Sequence, residues 1–232
     1  MGLSEMDKVA IAEKPGEGPI QQFLSQQARK HGIWIVGGTI PIESSVAGKV
    51  FSSALLYNDE GETVARYDKI HLFDVVLEAS KESYNESETI EAGEDVVVVD
   101  TPFGKLGMAI CYDLRFPELF RAMADVGMEI CALPSAFTSL TGKAHWESLL
   151  RARAIENLCY MVAPDQGGYH INGRETHGDS MIIDPLGVVL NRLPHGTGVG
   201  ISQDTQVKLL GPAFFSIHDC KLHQHSRLEL AD

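Results

Sequence analysis

The stretch Gly107-Met108-Ala109-Ile110-Cys111-Tyr112-Asp113 reads as a buried apolar strand that ends in a thiol. A polar elbow, Asp113-Leu114-Arg115-Phe116-Pro117-Glu118, follows at once. The end of a buried strand is where an α/β enzyme presents reactive groups. Free cysteine is also a common small core residue. The stretch alone therefore leaves both roles open for Cys111.

The flanking segments repeat a strand–helix alternation. Residues 96–101 and 104–111 form a hairpin through Pro102-Phe103-Gly104. A helix is expected over 117–126 with Gly127 past its end, then a strand over 129–134. A second helix over 146–157 carries Arg151, Arg153 and Glu156 at polar positions, and a strand over 159–163 follows. Residues 177–184 and 187–193 form a late hairpin around Asp184-Pro185-Leu186-Gly187. Near the start, Gly18-Pro19 opens a helix over 20–30 with Ile20, Phe23, Leu24 and Ala28 on one face. Strands are expected over 33–38, 50–58 and 63–68, the last two joined by the turn Asp59-Glu60-Gly61-Glu62. The polar, acidic residues 76–95 read as a long loop. This pattern predicts an α/β protein with mixed sheets. No linker or repeat divides the chain, so residues 1–232 read as one domain with an irregular tail over 205–232.

Composition narrows the function. The 232 residues carry a formal net charge of −13 and 44% hydrophobic residues. Such acidity argues against nucleic acid or an anionic membrane as partner. No apolar run reaches the roughly 18 residues of a membrane span. Cys111, Cys131, Cys159 and Cys220 form no C-x-x-C pair. A reduced, cytoplasmic protein fits this better than a disulfide framework.

Three segments carry chemistry-bearing residues at strand ends. They are Tyr67-Asp68-Lys69-Ile70-His71-Leu72-Phe73-Asp74, the Cys111 segment, and Pro134-Ser135-Ala136-Phe137-Thr138. The helix Ala144-His145-Trp146-Glu147 to Arg151-Ala152-Arg153 follows the third. In this order the segments resemble the nitrilase superfamily of carbon–nitrogen hydrolases, and most closely its Nit-type amidases. The resemblance implies an N-terminally shortened α-β-β-α sandwich, an amidase acting on small amides, and dimers. It further implies Cys111 as nucleophile, Lys69 as catalytic lysine, and Glu86, in Tyr84-Asn85-Glu86-Ser87, as a second glutamate beside the lysine. Tyr112 is expected to offer its backbone N–H to the oxyanion. Arg115, Ser135 and Phe137 are expected to meet substrate, although Arg115 could equally form a structural ion pair. Cys, Lys and a carboxylate suffice for this chemistry, so no metal or organic cofactor is expected.

One part of the family pattern has no match. The family's general base is a glutamate closing an early strand. Glu5, Glu13 and Glu17 follow no buried strand, and none is assigned that role. A strand–helix–strand unit needs about 30 residues or more, which the residues before Pro19 do not supply. The chain as written is expected to have low amidase activity. The alternative is a non-catalytic nitrilase-like subunit that pairs with full-length relatives. His218, Cys220, His223 and His225 match no closed zinc module and read as a solvated tail.

Overall fold

A computed structural model describes residues 6–77, 82–194 and 196–202. Helices α1 (Met6–Ala10) and α2 (Pro19–His31) precede strands β1 (Ile35–Glu43), β2 (Val50–Tyr57) and β3 (Thr63–Asp68). The hairpin β4 (Asp74–Leu77) and β5 (Glu82–Asn85) leads through the 3-10 turn Glu86–Glu88 into β6 (Ile90–Glu91). Then come β7 (Val98–Thr101), β8 (Gly104–Met108), the 3-10 turn Cys111–Arg115 and α3 (Pro117–Asp125). Next are β9 (Ile130–Ala132), α4 (Ser139–Asn157) and β10 (Tyr160–Ala163). Two hairpins follow, β11 (Gly167–Tyr169) with β12 (Glu175–His177), and β13 (Ser180–Ile183) with β14 (Val189–Leu193).

Strand β2 shows why the layers stack as they do. Successive strand side chains point to opposite faces. Ala54 and Leu56 join Leu106, Met108, Ala132 and Met161 in one buried cluster. Leu55 and Tyr57 join Ala28 of α2 in another. So β2 is covered on both faces, by the second sheet and by a helix. The first sheet is the antiparallel meander β1-β2-β3, with β6 added parallel to β2. The second runs β14-β13-β10-β9-β8-β7, with β8, β9 and β10 parallel at its centre. Helix α4 packs against β10 and β13, and α3 against α4. This is the α-β-β-α sandwich that the resemblance implied.

Several boundaries differ from the sequence reading. Residues 76–95 are not one loop but hold β5, a 3-10 turn and β6, and β4 ends within them. The hairpin β11–β12 was not foreseen, because each strand is only three residues long and Gly167 and Gly168 give no apolar alternation. Helix α4 starts at Ser139, well before Trp146, because Thr138 caps it: Oγ1 accepts the Thr141 N–H at 3.3 Å. A Cβ at Gly142 would lie 2.3 Å from the His177 Cβ. Close packing on β12, not loop geometry, requires that glycine. Arg153 lies buried rather than on a polar face, donating from Nε to the Leu114 carbonyl at 3.1 Å. On α2, Leu24 and Ala28 pack inward, but Ile20 and Phe23 stay 36% and 59% exposed.

Candidate active site

Cys111 does not end the strand as expected. It lies beyond β8 and starts the 3-10 turn with φ of 50°. A left-handed residue with a Cβ costs about 1–2 kcal/mol, so neighbours must hold it. The Cys111 N–H donates to the Pro134 carbonyl at 3.0 Å, and the Ala109 N–H to the Ala132 carbonyl at 3.1 Å. The Ile110 N–H donates to Asp113 Oδ2 at 2.8 Å.

Asp113 is wholly buried and ties this turn to the lysine segment. Its Oδ2 also accepts the Tyr67 hydroxyl at 2.6 Å. Its Oδ1 accepts the His71 backbone N–H at 3.0 Å and sits 2.7 Å from His71 Nδ1. The His71 ring stacks on Phe116, with centroids 3.6 Å apart. One carboxylate thus fixes residues on both sides of Lys69 to the backbone on both sides of Cys111.

Lys69 is the first residue after β3 and is 3% exposed. Its ammonium pairs with Glu86 Oε2, which also accepts the Phe73 N–H at 2.8 Å. The Ser87 N–H bonds Asp74 Oδ1 at 2.9 Å and holds the turn that carries Glu86. Burial works against the Lys69 ammonium, but the charges of Glu86 and Cys111 outweigh it, and the pKa ends above the ordinary 10.5. For Cys111 burial prevails. It pushes the thiol above its ordinary 9.0, although the Lys69 charge and the Ala136 N–H pull it down. Glu86 and Asp165 push it up further. Lys69 therefore lowers the thiol, but the net shift is upward.

Around the sulfur, the backbone of Ser135 is held by the Pro164 carbonyl at 2.8 Å. Phe137 is buried on Trp146, their ring centroids 4.8 Å apart. The Arg115 guanidinium lies 5.9 Å from the Tyr112 ring centroid and 5.6 Å from that of Phe137. It also meets His145 Nδ1 at 3.3 Å. Among the described residues Arg115 meets rings and an imidazole, not a carboxylate. Glu13 is spent elsewhere: it accepts the Ile20 N–H at 2.6 Å and the Gln21 N–H at 3.1 Å at the start of α2. That is a helix-capping role.

The carbon–nitrogen hydrolase family profile matches residues 2–208. The chain belongs to the carbon–nitrogen hydrolase family. It is 47% identical over 184 residues to the deaminated glutathione amidase of Yersinia enterocolitica, a match covering 79% of this chain and 64% of that relative. The chain thus spans less than two thirds of that curated relative's length. Yeast Nit3, a member of branch 10 of the nitrilase superfamily, superposes with a TM-score of 0.78 at 30% identity. That match covers 98% of this chain and 77% of Nit3. A point mutant of the amidase from Nesterenkonia sp. AN1 superposes with a TM-score of 0.69 at 26% identity, covering 88% of this chain and 73% of that one. That structure shows acrylamide added at the active site cysteine.

The structure of this member of the carbon–nitrogen hydrolase family brings Cys111, Lys69 and Glu86 into one charge network, with the Ala136 N–H, next to Ser135, on the sulfur and Tyr112, Phe137 and Arg115 packed together beside it. Sequence reasoning gave Asp113 no role. Its signal was present, since an acid set directly after a buried apolar strand must find donors. The Ala136 N–H and Asp165 were also missed, because sequence spacing does not reveal which strand ends meet. His218, Cys220, His223 and His225 lie outside the described residues.

Gly93 gives a test of how tightly Lys69 is held. Its N–H donates to the Lys69 carbonyl at 2.9 Å, and a Cβ there would lie 2.2 Å from the Asp68 carbonyl oxygen. Gly93→Ala must push back the backbone beside Lys69, at a cost of about 1–3 kcal/mol. Urea denaturation should show that loss, with slower alkylation of Cys111.

Proposed function

We propose that this chain carries the nucleophile and oxyanion side of an amidase site acting on small amides that bear a carboxylate. The observation that carries the reading is the φ of 50° at Cys111, held in the same network as the buried Lys69–Glu86 pair. In the proposed reaction the Cys111 thiolate attacks the amide carbonyl. The amine leaves with a proton, and water cleaves the thioester. The Lys69 ammonium stabilises the oxyanion of each tetrahedral intermediate, and the Tyr112 N–H is the second donor. Glu86 fixes Lys69. Arg115 takes the substrate carboxylate, with Ser135 and Phe137 lining the pocket.

Two carboxylates bear on the sulfur, and neither is poised to take its proton. Glu86 is bound by Lys69, and burial raises Asp165 to about 8. A slow rate is therefore expected for this polypeptide alone. The reducing cytoplasm suits its free thiols. A homodimer suits the exposed Ile155, Leu186 and Val188 where α4 meets the β13–β14 turn.

The test is ammonia release from small amides with and without a second carboxylate. Slow turnover lost in Cys111→Ala, and a raised KM for carboxylated amides in Arg115→Leu, are expected. Ordinary enzyme rates would overturn the slow-rate reading. A rate that survives Cys111→Ala would remove Cys111 as nucleophile and favour a non-catalytic subunit, tested by co-purification with a full-length relative.

A further inference from the structure

Asp165 follows β10, and its side chain has no part in the amide chemistry above. It is 7% exposed. Its Oδ1 accepts the Phe137 N–H at 2.9 Å, and the Gly178 N–H also bonds the carboxyl group. Its Oδ2 is buried with no hydrogen-bond partner. The backbone is pinned as well: Asp165 bridges Ser135, and its N–H meets Ser180 Oγ at 2.9 Å. The segment it holds, residues 134–138, supplies the Ala136 N–H to the Cys111 sulfur. Asp165 is thus clamped between the β10 end and the backbone that touches the thiol.

A buried carboxylate oxygen without donors is strongly disfavoured, whereas a protonated one costs far less. The charged groups around Asp165 come from three places. Cys111 lies on the 3-10 turn, Arg174 precedes β12, and Asp179 lies between β12 and β13. Asp179 is itself bound by Arg192 at 2.6 Å and lies 3.8 Å from His177. Burial pushes the Asp165 carboxyl up, the Phe137 and Gly178 N–H groups pull it down, Asp179 adds to the rise and Arg174 opposes it. Burial wins, and the group reaches about 8.

We propose that Asp165 is a positioning residue for the Cys111 thiol: it holds the segment that donates the Ala136 N–H, and it does so as an uncharged acid. The proposal rests on Cys111 being the reactive thiol. Once Asp165 ionises, its charge opposes the thiolate and its buried oxygen must seek a donor, which loosens the segment.

The test is Asp165→Asn, whose amide keeps the acceptor for Phe137 and cannot ionise. Iodoacetamide alkylation of Cys111 is followed by mass spectrometry from pH 6 to 10, alongside Tm over the same range. Alkylation in D165N should be about threefold faster at pH 8.5, because a like charge next to an acid has been removed. The Tm readout follows from linkage. The unfolded carboxyl ionises near 3.8 and the folded one near 8, so folding weakens as pH rises through that window. D165N should therefore gain in Tm relative to the parent between pH 5 and pH 8.5. Superimposable alkylation profiles, or equal pH dependence of Tm, would overturn the proposal. A D165N protein that does not fold at pH 6.5 would overturn it too, since acid and amide are near-isosteric there. Neither readout needs amide turnover, so a failure here is separable from a failure of the amidase reading.

Discussion

Asp113→Ala is expected to remove about 4 kcal/mol or more of folding stability, most of the margin of a domain at the low end of the usual range. The carboxylate is wholly buried and accepts from Tyr67 Oη, the Ile110 N–H and the His71 N–H, with His71 Nδ1 at 2.7 Å. Alanine leaves each of these without its acceptor. A buried polar group stripped of its partner costs about 1–3 kcal/mol, and small domains hold only about 5–15 kcal/mol in total. Tyr67 cannot ease the loss by ionising, because burial alone keeps its hydroxyl protonated once Asp113 is gone. Asp113→Asn should cost less, about 2–3 kcal/mol, since the amide retains one acceptor oxygen. Adding Tyr67→Phe to D113N should recover part of that loss, because a hydroxyl without an acceptor is then gone. Urea denaturation of the single and double variants measures each step. In D113N, iodoacetamide should also reach Cys111 at a different rate, because the Ile110 N–H no longer meets a carboxylate. Equal midpoints for D113N and the parent would show that the clasp carries no stability.

How far could this have been read from the chain alone? The apolar runs around Leu55, Met108 and Met161 marked strands, because residues buried on both faces make continuous apolar stretches. Helix ends were less legible. Thr138 capping Thr141 is a local start signal that the sequence carries, whereas Gly142 packed on His177 is a tertiary reason for α4 to start early. Residues 76–95 looked like a loop because acids such as Glu86, Glu88, Glu91, Glu94 and Asp95 break up any apolar alternation there. The cluster of Cys111, Lys69 and Glu86 came from segment order and resemblance, not from periodicity. Asp165 was invisible, because its role depends on β10 ending beside residue 135, and no spacing encodes that.

The second large effect is expected from Lys69→Met. The ammonium is 3% exposed and faces Glu86, so its loss leaves a partly buried carboxylate whose remaining described donor is the Phe73 N–H. Removing one partner of a buried pair costs about 3–5 kcal/mol. The double variant K69M/E86Q should recover much of this, because the stranded charge is gone while the amide oxygen can still accept from Phe73. The thiol separates this structural loss from a chemical one. Lys69 is the foremost influence pulling the Cys111 thiol down against burial. Its removal raises the thiol in both variants, and each unit of rise means about tenfold less thiolate at a given pH below the midpoint. Alkylation of Cys111 at pH 8 should therefore fall about tenfold or more in K69M. It should stay low in K69M/E86Q, apart from the small gain from losing the Glu86 charge. Any amide turnover should fall with it, by about 100-fold or more, since an oxyanion donor is lost as well. Recovery of stability in the double variant without recovery of alkylation would place the lysine's effect on the sulfur. Recovery of both would mean that Lys69 serves only to neutralise Glu86.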